Sequence, residues 1–240
     1  MIGTPQYDQV MADLYDPFIS RASDPTELVS RCAPYVRGRK TLEIGIGTGR
    51  VALPLAEVAA SYTGIDNSEP MLEHLLAKRL PESLSARLAD VRLPLPFYSG
   101  EFEVTVSAMG SLSYVDSLEE YADCLRHVRE VLAPRGTLIA ENYSLSTYRA
   151  LFEAGPSRFP MPDGQGWCEF RASWDGDLME TEARVHHPDG TESLFREVVL
   201  VLGEGRFEWL ARQAGFEPVQ AMYAAHGTPF DWFVLERGES

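Results

Sequence analysis

Three glycines at alternate positions close an apolar run in Thr41-Leu42-Glu43-Ile44-Gly45-Ile46-Gly47-Thr48-Gly49-Arg50. Glycine permits the positive φ and the close backbone approach that a ligand-holding turn requires. A helix starting just after it would present free N–H groups to the ligand. Many nucleotide-binding folds share such a loop, so two details matter. Arg50 stands where a dinucleotide loop of the G-x-G-x-x-G kind has its third glycine, and Glu43 lies two residues before Gly45. A carboxylate there repels a pyrophosphate and attracts a cation such as a sulfonium or an ammonium. A second acidic residue, Asp66, ends Gly64-Ile65-Asp66, 17 residues beyond Gly49. In that position a carboxylate can accept hydrogen bonds from both ribose hydroxyls. Asp90, in Leu88-Ala89-Asp90-Val91-Arg92, can accept from an adenine amino group. The small residues Ser107 and Ala108 leave room for a ligand after the next strand, at the sheet edge where open α/β sheets bind ligands.

The elements that must position these residues follow from periodicity and from turn chemistry. Residues 6–20 read as an amphipathic helix with Val10, Leu14 and Phe18 on one face and Pro17 as a kink. A second helix covers about 25–37. Strands are expected at 40–44, 61–65, about 85–89, 102–107 and 137–141, and helices at 50–60, 69–79 and 118–132. Ser68 and Pro70 suit the start of the 69–79 helix. Ala133-Pro134-Arg135-Gly136 stops the 118–132 helix. Alternation of strand and helix implies a parallel sheet covered by helices on both faces. Beyond residue 141 the pattern changes. Gly155, Pro156, Pro160, Pro162, Gly164 and Gly166 make 155–166 a loop. Strands at 167–174, 178–187 and 191–202 then form an antiparallel meander, with Asp175-Gly176 and Asp189-Gly190 at its turns. A helix at 206–214, capped by Gly215, and strands at 217–223 and 230–236 close the chain.

Taken together, these four features resemble motifs I to IV of the class I methyltransferases that use S-adenosylmethionine (SAM). The resemblance covers residues 41–141, and the 203–236 layout is similar to the family's closing helix and hairpin. It implies an α/β fold with a Rossmann-like seven-stranded sheet in the order 3-2-1-4-5-7-6, the seventh strand antiparallel. An antiparallel β insertion lies between the fifth strand and the last helix. The expected organisation is a single domain over 1–240: a helical lid at 1–37, a cofactor core at 38–144, an insertion at 145–202 and a closing unit at 203–240. The insertion would form the acceptor pocket or an oligomer interface. By the same resemblance SAM is the cofactor. Glu43, Gly45, Gly47 and Gly49 would flank its methionine portion and ribose, Asp66 would hold the ribose hydroxyls, Asp90 and Val91 would bind adenine, and Ser107 would line the methionine side. Asn67, Met71 and Tyr15 complete the expected set. Ser107-Ala108-Met109-Gly110-Ser111-Leu112, Glu141 and the insertion are similar to small-molecule N-methyltransferases, among them amino-sugar N,N-dimethyltransferases and glycine N-methyltransferase. There an N-terminal tyrosine such as Tyr7 or Tyr15 can cover the methyl group.

Methyl transfer asks the protein mainly to hold a lone pair in line with the methyl group, and an amine acceptor must also lose a proton. No fixed catalytic motif is therefore expected. Tyr15, Asn142, His186 and His226 are the catalytic candidates, with Tyr143 and His187 beside them and with hairpin-end or packing roles as the bland alternative. Trp167, Phe170 and Trp174 read as packing within the insertion, with an aromatic cage as the alternative. No H-x-x-x-H and no acidic cluster suggests a metal. Transfer to a hydroxyl, a carboxylate or a peptide N-terminus, and non-catalytic SAM binding, remain open; Arg50 and Glu43 argue against a nicotinamide-dependent reductase.

The net charge of −15 disfavours nucleic acid as a partner and favours a neutral or cationic small molecule. Hydrophobic residues at 45% and charged residues at 24% support a packed core. Cys32, Cys124 and Cys168 are widely spaced, which argues for reduced thiols and a cytoplasmic location. No apolar run reaches membrane-span length. A monomer or a homodimer is expected.

Overall fold

The computed structural model describes residues 7–22, 25–153, 155–161, 164, 166–224 and 228–239, without the side chains of 17–22. Two helices, α1 (Gln9–Ala22) and α2 (Thr26–Val36), precede the sheet. Then come β1 (Lys40–Ile44), α3 (Ala52–Ala56), β2 (Ser61–Asp66), α4 (Glu69–Leu76), β3 (Leu84–Leu88), β4 (Phe102–Ser107), α5 (Leu118–Val131) and β5 (Leu132–Tyr143). They are followed by α6 (Leu145–Glu153), β6 (Ser157–Pro160), β7 (Trp167–Asp175), β8 (Leu178–His186) and β9 (Glu192–Leu200). The chain closes with α7 (Arg206–Gln213), β10 (Phe216–Met222) and β11 (Phe230–Arg237). No helix among the described residues is long and apolar enough to cross a membrane.

Seven strands form one sheet in the order β10-β11-β5-β4-β1-β2-β3. Strands β1 to β5 are mutually parallel, and β11 runs antiparallel to both neighbours. This is the order that the resemblance implied. Its central strands are apolar on both faces because helices cover both. On β11, Trp232 and Val234 join the cluster under α2 and α3, while Phe233 and Leu235 join the cluster under α5 and α7. The chain leaves β1 toward β2 but returns to β4 on the other side of β1. That reversal opens a crevice at the carboxyl ends of these strands.

A second sheet, β6-β7-β8-β9, is antiparallel throughout. Asp175 and Leu178 pair across a two-residue turn, where Gly176 takes φ 62°. Met179 and Val199 pack with Tyr143, Tyr148 and Phe230, fastening this sheet to the ends of β5 and β11.

Several elements differ from the sequence reading. The helix expected at 50–60 shrinks to Ala52–Ala56 because its tail is drawn into other bonds: the Val58 carbonyl accepts from Gly38 N–H, and Ala60 N–H donates to the Arg39 carbonyl. Strand β5 starts at Leu132 instead of Thr137, since Leu132 pairs with Phe102 and the register then shifts past Pro134-Arg135-Gly136. The 155–166 loop contains β6, whose four residues pair with β7. Helix α6 was not foreseen, although Leu145, Tyr148 and Phe152 recur at helical spacing and pack in one cluster.

The glycine turn is sterically committed. Gly45 has φ 70°, and a Cβ there would collide with the Ser111 side chain. Gly38 has a similar φ of 69° but nothing within 4 Å. Gly45→Ala is therefore expected to cost more than about 2 kcal/mol, against about 1 kcal/mol for Gly38→Ala, where only backbone strain acts. Urea unfolding of both variants measures the difference.

Candidate active site

A cleft open to solvent lies at the carboxyl ends of β1, β2 and β4. Its floor is the glycine turn. Gly45 N–H and Ile46 N–H both donate to the Ile65 carbonyl, at 2.8 and 2.9 Å, which presses the turn against β2. Gly47 N–H donates to Asp66 Oδ2 at 2.8 Å, and Ser68 N–H to Asp66 Oδ1 at 2.9 Å. Asp66 thus ties the first turn to the second. Burial pushes its carboxyl group up, against backbone hydrogen bonds from Ser68, Gly47 and Asn67. A carboxylate offers about four acceptor sites, so capacity remains for ligand hydroxyls.

Glu43 ends in a buried position, where Tyr62 Oη donates to its Oε2 at 2.7 Å. Burial raises its pKa to about 8. Asp90 is held by Arg92, which donates Nε to Oδ1 at 3.0 Å and Nη2 to Oδ2 at 2.6 Å, and by Asn67 Nδ2 at 3.4 Å. Burial raises the Asp90 pKa, but these bonds outweigh it and leave the carboxyl below its usual range.

The roof comes from the N-terminal segment. Ser68 Oγ donates to the Tyr7 carbonyl at 2.6 Å. Asp16 accepts from Thr48 Oγ1 at 2.5 Å and from Lys78 Nζ at 2.7 Å, pinning α1 to the glycine turn and to the segment after α4. The Tyr7 and Tyr15 rings meet edge to face at 5.7 Å, and both line the cleft with Arg50, Met109 and Tyr114. Met109 takes a positive φ of 51°. Its N–H donates to Glu141 Oε2 at 3.1 Å, and Glu141 Oε1 pairs with Arg31 at 3.4 Å. Glu141 therefore supports the turn after β4 from beneath.

Among the residues singled out from the sequence, Tyr15, Glu43, Gly45, Gly47, Asp66, Asn67, Met71, Asp90 and Val91 all line this cleft. Gly49 and Ser107 do not. Gly49 instead faces the side chains of Leu75 and Leu53, and Ser107 is buried with its hydroxyl unpartnered. Asn142 also lies outside the lining: strand alternation turns it toward α5, where its Oδ1 accepts from Tyr121 Oη at 2.9 Å. His186 stacks on Trp167 at 3.8 Å and pairs with Glu192 at 2.9 Å on the second sheet. His187 contacts Ser193 Oγ. His226 lies outside the described residues.

Sequence reasoning missed Glu197 on β9. Its carboxylate accepts from Tyr114 Oη at 2.6 Å, Tyr7 Oη at 3.2 Å and Thr181 Oγ1 at 3.1 Å. The signal was present: Phe195, Glu197 and Val199 alternate, which places one charge on an apolar strand face.

Residues 41–136 match the family model described as a methyltransferase domain. Among curated proteins, the cypemycin N-terminal methyltransferase of a Streptomyces species is 32% identical over 132 residues, 54% of this chain and 53% of that protein. The dTDP-3-amino-3,4,6-trideoxy-alpha-D-glucopyranose N,N-dimethyltransferase of Streptomyces venezuelae is 29% identical over 190 residues, 75% of this chain and 70% of that one. The chain spans about half the length of the first curated relatives it matches, 53% and 55%. The CcbJ methyltransferase of Streptomyces caelestis superposes with a TM-score of 0.84 at 23% identity, covering 98% of both chains. Residues 41–136 are thus similar to a methyltransferase domain, and strand order and superposition show that the chain has the fold of the CcbJ methyltransferase.

The raised Glu43 pKa has a consequence for stability. The folded value of about 8 exceeds the unfolded value, so the contribution of this group is full below about pH 4.3 and lost as pH rises through about 8. Glu43→Gln removes that loss. The variant should match the parent near pH 4 to 5 and exceed it by a few kcal/mol at about pH 8 to 9, as thermal unfolding across that range would show.

Proposed function

We propose that this protein transfers a methyl group from SAM to an amine nitrogen of a small-molecule acceptor. The observation that carries the cofactor side is Asp66: a buried carboxylate on the cleft floor, held by the glycine turn, with acceptor capacity to spare. The residues suit SAM in other respects too. Gly45 and Gly47 bring bare backbone to the cleft lining, and a cationic ligand beside Glu43 would draw its buried carboxyl group back toward the ionised form. When bound, SAM supplies an electrophilic methyl group on a sulfonium whose leaving group needs no further activation. The protein then has to bind, align and exclude water. The glycine turn, Asp66 and Asp90 would hold the cofactor, and Tyr7, Tyr15 and Tyr114 would shape the wall that the acceptor meets.

Support for nitrogen comes from the relative that dimethylates an amino-sugar nucleotide and covers most of this chain. A peptide N-terminus is the second reading, supported by the cypemycin N-terminal methyltransferase.

Calorimetric titration with SAM, S-adenosylhomocysteine and NADH tests the cofactor side. Both sulfur ligands should bind at one site while NADH gives no heat. Asp66→Ala should weaken them about 100-fold, the loss of about two charge-assisted hydrogen bonds. Silence from both sulfur ligands would refute the reading. An acceptor panel of amino sugars, peptides and their hydroxyl counterparts, read by S-adenosylhomocysteine release, then separates the acceptor classes.

A further inference from the structure

The inner face of the second sheet is largely apolar, with Ser157 and Ser193 toward its margins and one polar cross-strand pair at its centre. Met179, Ala183 and Val185 of β8 are buried, as is Val199 of β9. Thr181 and Glu197 stand directly opposite each other among them. Packing gives no reason for a carboxyl group here, because valine or leucine would continue the face without a desolvation cost. The group is also not idle. Glu197 does not line the cleft, but two of its hydrogen-bond donors do: Tyr114, at 2.6 Å, and Tyr7, at 3.2 Å. Tyr7 Oη lies 2.8 Å from Tyr114 Oη, and Tyr143 Oη lies 3.1 Å from it. A continuous chain of hydroxyls thus runs from the cleft wall to one buried carboxylate.

We propose that Glu197 takes up the proton of the acceptor amine through the Tyr114 hydroxyl. This rests on the reading of the cleft as a site of methyl transfer to nitrogen. An acceptor that enters as an ammonium has no lone pair to offer. Its N–H donates to Tyr114 Oη. The proton passes to that oxygen as the original Tyr114 proton moves to Glu197 Oε2. The result is a neutral amine, an unchanged tyrosine and a neutral carboxylic acid, with charge and protons balanced. Glu197 returns its proton to water after the product leaves. Thr181, Tyr7 and Tyr114 donate to its carboxylate and favour the ionised form, whereas burial raises its pKa. Tyr143, Tyr148 and Tyr15 are the other titratable groups whose fields it feels. Among the described residues, none of its hydrogen-bond donors carries a positive charge. A carboxylate so placed accepts a proton more readily than one in water.

Glu197→Gln keeps the shape and an acceptor oxygen for the tyrosines but cannot take up the proton. Three measurements on the full chain read the result: S-adenosylhomocysteine titration, the pH profile of methylation on a panel of primary and secondary amines, and calorimetry of a methylated amine binding to the S-adenosylhomocysteine complex in buffers of different ionisation heat. The variant should bind S-adenosylhomocysteine within about twofold of the parent and unfold at the same or a higher temperature. Amine methylation near neutral pH should fall about 100-fold, the usual size of a general-base contribution. It should recover toward about pH 9.5, where the free amine forms in solution. Amine binding should release no proton to buffer in the parent and about one in the variant. Tyr114→Phe should reproduce the shifted profile with Glu197 in place. An unchanged rate and pH profile in Glu197→Gln overturns the proposal, and so does S-adenosylhomocysteine binding with no turnover of any amine. Failure of the parent to bind S-adenosylhomocysteine refutes instead the reading of the cleft.

Discussion

The hydrogen bond from Gly47 N–H to Asp66 is the constraint on which the site depends. It joins the turn after β1 to the turn after β2, on one side of the point where the sheet reverses its winding. Because Asp66 also accepts from Ser68 N–H, the same carboxylate orders the start of α4. Ser68 in turn accepts from Met71 N–H and donates to the Tyr7 carbonyl, so the order reaches the roof. A short series of bonds therefore runs from floor to roof through a group whose own burial is unfavourable. Such a carboxylate is kept where a ligand will use it.

Acidic side chains take different parts around the cleft according to their surroundings. Asp90 is neutralised by the Arg92 fork and stays ionised. Glu43 has one tyrosine hydroxyl for company and is pushed toward the neutral form. Glu141 is spent on Met109 and Arg31, where it holds a strained turn in place. Glu197 sits behind the tyrosine wall. Separation of titratable groups by environment is the usual means by which one fold divides binding from proton handling.

The floor of the cleft was legible because its chemistry is local. Positive φ at Gly45, a carboxylate at the end of β2 and a cap at Ser68 are each written in a few adjacent residues. The wall and the groups behind it were not, because they come from distant segments: Tyr7 and Tyr114 meet Tyr143 and Glu197 only once the second sheet has folded against the first. Asn142 illustrates the limit at finer scale. Its place at the end of the sheet's fifth strand points to the cleft, yet strand alternation turns Tyr143 toward Tyr114 and sends Asn142 toward Tyr121. Likewise the D-G turns located the meander, but only its hydrogen-bond pairing showed that β6 joins it and that His186 stacks on Trp167.

A crystal structure of the protein grown with S-adenosylhomocysteine decides whether the cleft holds the cofactor. Ribose hydroxyls should lie on Asp66, adenine beside Asp90 and Val91, and the sulfur should face the wall formed by Tyr7 and Tyr114. A ligand bound elsewhere, or with its sulfur turned away from that wall, would contradict this reading of the cleft.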